Sequence, residues 1–191
     1  MRKIIVSNNV TLDGFFAGPN GELDWKVWDD EIAQYAKDQS ASTDTILFGR
    51  VTYELMSSYW PTPAANSQDP VILAFMNNSH KIVFSKTLAR ADWKNTEVVK
   101  DINAKEILRM KQEPGKDMIV FGSGSVVSAL SQHGLIDDYR IFVTPVVLGR
   151  GKRLFQGIMV RMNLKLLDTK RFNNGVVLLH YKPGDKKEEP R

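Results

Sequence analysis

The run Ile119-Val120-Phe121-Gly122-Ser123-Gly124-Ser125-Val126-Val127 changes character in its middle: an apolar strand breaks at glycine and resumes as a helix. Small residues at a strand-to-helix corner leave backbone N–H groups free and direct the positive end of a helix dipole at one spot, which suits a phosphate. Gly-Ser-Gly is also a good tight turn, so the run needs company before it implies a ligand.

Company comes from two further corners. Thr45-Ile46-Leu47-Phe48 is a short strand closed by Gly49-Arg50 and followed by a helical stretch from Val51 to about Ser58, with Arg50 adding a cation at the helix start. Lys81-Ile82-Val83-Phe84 is another strand, followed by Ser85-Lys86-Thr87 with two hydroxyls and an ammonium. Ligands of open α/β sheets sit at the carboxyl ends of strands. Three such ends carrying glycine, hydroxyl or cationic groups favour a phosphate-rich cofactor over three unrelated turns.

The rest of the chain supplies the sheet and its cover. Lys3 to Ser7 reads as a buried first strand, Glu97-Val98-Val99 as a short one and Tyr139 to Leu148 as a central one. Helices are predicted from Asp29 or Asp30, with Asp29 as N-cap and Ile32, Tyr35 and Ala36 on one face, and from Asp69-Pro70 through Met76. Another spans Asn103 to Gln112, with Ile107 and Leu108 inward, and one more runs from about Ser125 to a stop at Gly134. Leu164 to Phe172 and Val176 to Tyr181 flank Asn173-Asn174-Gly175 as a hairpin. The order predicts one α/β domain over residues 1–182, with a mostly parallel sheet and a C-terminal antiparallel hairpin. Residues 183–191, rich in charge and proline, read as a disordered tail.

Between the first strand and first helix lies the glycine-rich loop Gly18-Pro19-Asn20-Gly21, followed by Leu23, Trp25 and Trp28. Two tryptophans beside such a loop serve either as a ligand lid or as core filling. Asp13, Asp24, Asp29 and Asp30 are the carboxylates within reach of it, each equally readable as a cap or turn residue.

Composition narrows the function. The 191 residues contain no cysteine, which removes disulfides, thiolate nucleophiles and cysteine zinc sites, and the three histidines lack metal-site spacing. No metal is expected. The start has too short an apolar run for a signal peptide and no window spans a membrane, so the reading is a cytoplasmic protein without membrane contact. A net charge of +4, spread among acids, argues against nucleic acid as partner. Val127 replaces the third glycine of a dinucleotide fingerprint, no helix opens with a P-loop, and no histidine is placed to activate a serine.

With these corners in order, the chain resembles the dihydrofolate reductase-like superfamily, and most closely the RibD C-terminal domain family, the reductase domain of the bacterial riboflavin-biosynthesis enzyme. The resemblance is carried by Val10-Thr11-Leu12-Asp13-Gly14-Phe15-Phe16-Ala17, Ile46-Leu47-Phe48-Gly49-Arg50-Val51-Thr52-Tyr53-Glu54, Lys81 to Leu88, Phe121-Gly122-Ser123-Gly124, Leu135 to Arg140, and Pro145 to Phe155. It implies a three-layer fold with a twisted sheet, NADPH as hydride donor, a small-molecule substrate and a homodimer. It also implies cofactor contacts at Gly49, Arg50 and Thr52, at Ser85, Lys86 and Thr87 near the adenosine 2′-phosphate, and at Gly122, Ser123, Gly124, Ser125 and Val126 around the pyrophosphate. Ala17 and Gly18 would lie near the nicotinamide.

Hydride transfer asks the protein for orientation and one proton source, because the cofactor carries the hard step. The resemblance makes Asp30 the candidate catalytic carboxylate, with Asp29 beside it, and Trp25, Trp28, Tyr59 and Trp60 the candidate substrate-binding aromatics. Lys152 and Arg153 are the candidates for a substrate phosphate. The implied activity is NADPH-dependent reduction of 5-amino-6-(5-phosphoribosylamino)uracil or a similar heterocycle. The alternatives are a pterin or folate reductase, and a catalytically weak nucleotide-binding or sensor protein of the same fold.

Overall fold

A computed structural model describes residues 1–184. In chain order the elements are β1 (Ile4–Thr11), β2 (Phe15–Ala17), α1 (Asp30–Ala41), β3 (Thr43–Gly49), α2 (Arg50–Ser57), a 3₁₀ turn (Pro63–Ser67), α3 (Pro70–Asn78), β4 (His80–Phe84) and β5 (Thr96–Val99). They continue with α4 (Ala104–Gln112), β6 (Asp117–Val120), α5 (Gly124–Gln132), β7 (Asp138–Thr144), β8 (Lys152–Arg153), β9 (Leu164–Arg171) and β10 (Val177–Pro183). Caps set three helix starts: Asp29 accepts from the Ile32 N–H, Asp69 from Val71 and Asn103 from Lys105, each at 2.9 Å.

Eight strands form one sheet in the order β5-β4-β3-β6-β1-β7-β10-β9. The first six are mutually parallel, and the hairpin joins antiparallel through β10 on β7. β7 is shorter than the Tyr139–Leu148 run suggested: its ladder stops at Thr144, because Pro145 has no N–H to donate. A second, two-stranded ribbon pairs β2 with β8, a feature too short to leave a periodic signal.

Both sheet faces are covered, which is why the strands read as near-continuous apolar runs rather than alternating ones. Ile4, Val6, Leu47, Met118 and Val120 pack on one face with Ile107 of α4 and with Val126, Val127 and Leu130 of α5. Ile5, Ile46, Phe48 and Ile119 pack on the other with Tyr53 of α2 and with Ile72 and Met76 of α3, while Ala33 and Ala36 of α1 complete that layer. The result is the three-layer α/β fold.

Two expectations are corrected. Leu108 is exposed, and the inward companion of Ile107 is Lys111, buried because its ammonium reaches the Leu135 carbonyl at 3.1 Å and the Asp137 carboxylate at 2.6 Å. The ordered chain also passes residue 182: Pro183 pairs with Leu164 in the hairpin, and the Gly184 N–H donates to the Asn163 carbonyl at 2.8 Å. The remainder of the expected tail, residues 185–191, lies outside the described residues.

Candidate functional site

The strand order explains how distant stretches meet. β4, β3 and β6 are neighbours and run parallel, so the corners after Phe84, Gly49 and Val120 line up along one sheet edge. The last two are joined directly. The Ser123 hydroxyl accepts from the Gly49 N–H at 2.7 Å and shares a 2.8 Å hydrogen bond with the Thr52 hydroxyl. A Cβ at Gly49 would stand 2.6 Å from that Ser123 oxygen, so only glycine permits the approach. Gly122 and Ser123 both have positive φ, 65° and 58°, and for serine this is an uncommon, costly conformation held by the hydroxyl's two bonds. The latch therefore sets the N-termini of α2 and α5 side by side.

The two latched corners open onto a cleft of about 670 Å³, within the size range of small-molecule sites. Of the sequence-predicted residues, Gly49, Arg50, Thr52, Gly122, Ser123, Gly124 and Ser125 line it, as do Ala17, Trp28 and Trp60. Val126 instead points into the core, and Gly18 sits in the self-bonded loop behind Ala17, its N–H donating to the Glu22 carbonyl at 2.9 Å. Ser85 Oγ accepts from the N–H groups of Thr87 and Leu88, and Lys86 is paired with Asp101 at 2.8 Å. This third corner stands outside the cleft wall, to which its strand contributes Phe84.

Trp25 and Tyr59 do not line the cleft either, and the Tyr59 hydroxyl accepts from Gln68 Nε2 at 2.7 Å. Asp30, the candidate catalytic carboxylate, is the exposed first residue of α1 and is likewise absent from the lining, while its neighbour Asp29 is spent on the helix cap.

Among the described residues, the cleft lining contains no aspartate, glutamate or histidine. Its charged members are Lys26, Arg50, Lys152 and Arg153. Arg50 is held by Glu54 at 3.0 Å, and the Arg153 guanidinium lies 5.0 Å from the Phe15 ring centroid. The Lys26 ammonium has no ion pair or hydrogen bond among the described residues, while its backbone N–H donates to the Leu23 carbonyl at 3.1 Å. Lys26 is an exposed residue that lines the cleft, and desolvation by the surrounding protein lowers its pKa to about 8. Tyr35 also lines the cavity, and burial raises its phenol above the usual value.

Sequence reasoning passed over the polar floor. Asn8 and Gln39 line the cleft with 6 % of their surface exposed, and the Nδ2 of one and the Nε2 of the other have no partner among the described residues. Their signals were visible: Asn8 interrupts an apolar strand, and Gln39 continues the inward face of Ile32, Tyr35 and Ala36. Lys26 left none.

The match to the RibD C-terminal domain covers residues 2–178. The chain belongs to that family. Its relatives include YyaP of Bacillus subtilis (strain 168), an uncharacterized protein 36% identical over 180 residues, with 94% of each chain covered. Among solved structures, a Shewanella sp. PV-4 protein provisionally named for riboflavin biosynthesis matches with a TM-score of 0.73 at 19% identity, covering 96% of this chain and 99% of its own. A diaminohydroxyphosphoribosylaminopyrimidine deaminase/5-amino-6-(5-phosphoribosylamino)uracil reductase from Thermotoga maritima matches with a TM-score of 0.68 at 18% identity, over 96% of this chain and 57% of that one. Such structural likeness is a likeness of fold, and it agrees with the RibD assignment. No helix among the described residues is long and apolar enough to cross a membrane.

Proposed function

We propose that this RibD-family chain is an NADPH-dependent reductase of a small planar heterocycle, of the aminouracil ribosyl phosphate kind or a related ring. The observation that carries the reading is the latch between Gly49, Thr52 and Ser123, which holds two helix N-termini together at the mouth of one cleft. The first N–H groups of a helix have no intrahelical acceptor, so two adjoining helix starts form a concentrated donor set for a pyrophosphate. The residues present fit the cofactor: no side chain fills the Gly124 position, where a Cβ would stand 3.0 Å from the Arg153 carbonyl, and Arg50 adds a guanidinium. When bound, the reduced nicotinamide supplies the hydride.

The protein's own contributions follow from position. Gly124 and Ser125 at the start of α5, with Arg50 and Thr52 at the start of α2, bind the diphosphate. Arg50 and Lys86 are the cations for a 2′-phosphate, which would draw them from Glu54 and Asp101. Ala17 borders the nicotinamide end, and Trp28 and Trp60 wall a flat ring and exclude water. The reading gives Asp30 no catalytic role.

Titration with NADPH, followed by tryptophan fluorescence and by loss of nicotinamide absorbance on adding pyrimidines and pterins, tests this. Saturable quenching and cofactor oxidation with one heterocycle class are expected; no saturable response to NADPH or NADH overturns the cofactor assignment. The lack of any carboxylate in the described lining favours a second reading, a nucleotide-binding protein with weak turnover. That reading predicts NADPH binding without oxidation across the panel.

A further inference from the structure

Charge and apolar surface are segregated within the cleft. Among the described residues, its four charged side chains come from the loop before α1, from the first residue of α2 and from β8. α1, the rest of α2 and α3 contribute no charge to the lining. α3 has no charged residue anywhere between Pro70 and Asn78, whereas a helix that meets water ordinarily shows a charged face. The polar side chains of these helix walls are turned into the protein. Ser40 Oγ donates to the Lys37 carbonyl at 2.7 Å, and the Gln39 amide is buried with its oxygen on the Ser7 hydroxyl at 3.1 Å. Tyr35 packs its ring edge-on to Phe142, and Trp60 directs its indole N–H to Met56 Sδ at 3.3 Å. What the walls offer a ligand is therefore apolar, and much of it is uncovered. Val51 and Leu55, one turn apart on α2, are 61% and 47% exposed, Trp28 is 55% exposed, and all three line the cleft. Val51 stands between Arg50 and Thr52, so this surface begins where the proposed cofactor corner ends. An apolar group laid on it is removed from water together with the wall, while a sugar phosphate laid there would lose hydration and find no partner.

We infer that the substrate ring carries a bulky, uncharged apolar substituent, lodged against the helix wall that Val51, Leu55 and Phe75 line, and that a sugar phosphate does not occupy this wall. The inference rests on the reductase reading proposed above and narrows it to related rings bearing such an arm. It makes Leu55 a specificity residue.

Titration of the full chain with N-phenyl-1-naphthylamine, a neutral apolar fluorophore, tests it, with ribose 5-phosphate as competitor and without and with saturating NADPH. One saturable fluorophore site is expected, retained when NADPH is bound and undisturbed by ribose 5-phosphate. Leu55→Gln, at an exposed position, should weaken the fluorophore ~10-fold, the order expected when the burial of one leucine side chain is lost. Val71→Gln, exposed on α3 and outside the cleft lining, should leave it within about twofold. Among rings that oxidise NADPH, a phenyl-substituted one should show a KM ~10-fold below that of its unsubstituted parent. Displacement of the fluorophore by NADPH or by ribose 5-phosphate overturns the inference, as does equal weakening by the two variants. NADPH binding by a protein without a saturable fluorophore site also overturns it, and leaves the reductase reading standing. Saturable, Leu55-dependent fluorophore binding in a protein that ignores NADPH would keep the apolar wall as a ligand site and overturn the cofactor reading alone.

Discussion

The two edges of the sheet are both polar, and they treat their polar groups in opposite ways. At the N-terminal edge Asp44, Asp117 and Asp137 are all engaged. Arg2 binds Asp44 and the Thr45 hydroxyl, Asp44 also accepts from the Lys116 N–H at 2.7 Å, and Asp117 accepts from the Lys3 N–H at 2.7 Å. Asp137 takes both the Ile4 N–H and the Lys111 ammonium. At the C-terminal edge the corner is tied together, but beside it the buried Asn8 Nδ2 and Gln39 Nε2 have no partner among the described residues, and the described cleft lining has no acid. Satisfied polar groups hold a fold, and buried ones left unpaired cost it stability.

The contrast can be broken from either side. The largest effect is expected at the closed edge. Lys111→Ala strands the Asp137 carboxylate and should cost about 3 kcal/mol in urea unfolding, with NADPH affinity of the folded protein unchanged. Equal damage to affinity would mean that this edge is not purely structural. At the open edge, Ser123→Ala removes both latch bonds and orphans the Gly49 N–H, for a loss of about 1–3 kcal/mol together with a roughly 10-fold weaker NADPH titration. A stability loss without an affinity loss would separate the latch from cofactor binding.

Smaller effects sharpen the picture. Lys81 is buried under the end of α3, donating to the carbonyls of Asn77, Ser79 and Lys94, with its ammonium 4.5 Å from the Trp93 ring centroid. Burial, with a contribution from the Lys94 charge, lowers its pKa from 10.5 to about 8. Between those values the unfolded chain holds more protons than the native one, so stability should rise with pH from about 8 toward 10.5, by at most about 1.4 kcal/mol per pH unit for this group. Unfolding measured over that range with Lys81→Met should lack this rise. Leu108→Ser on the solvent face of α4 should move stability by no more than about 0.5 kcal/mol.

Much of this architecture was legible beforehand for identifiable reasons. Asp29, Asp69 and Asn103 are short acceptors placed just before helical runs, and Asn173-Asn174-Gly175 divides two strand-like segments, so local chemistry marks the boundaries. The corner glycines were legible because phosphate-binding geometry needs them. Leu108 misled because a four-residue span of helix surface does not say where the buried face ends, and a lysine with a carboxylate within reach can take the inward place. Asp30 was placed by resemblance at a position in the chain, whereas the cleft lining is decided by directions in space, and that lining does not include it.

Strand and helix periods, caps, turns and the three polar corners are short-range properties, and the order of residues along the chain was enough to specify them. Which corners touch was not, since the 2.7 Å contact between Gly49 and Ser123 joins residues 74 apart and exists because β3 and β6 are adjacent in the sheet. The same holds for the cleft's chemistry. An asparagine in a strand and a glutamine on a helix meet at one cavity, their amide nitrogens without partners among the described residues, only because packing brings them there.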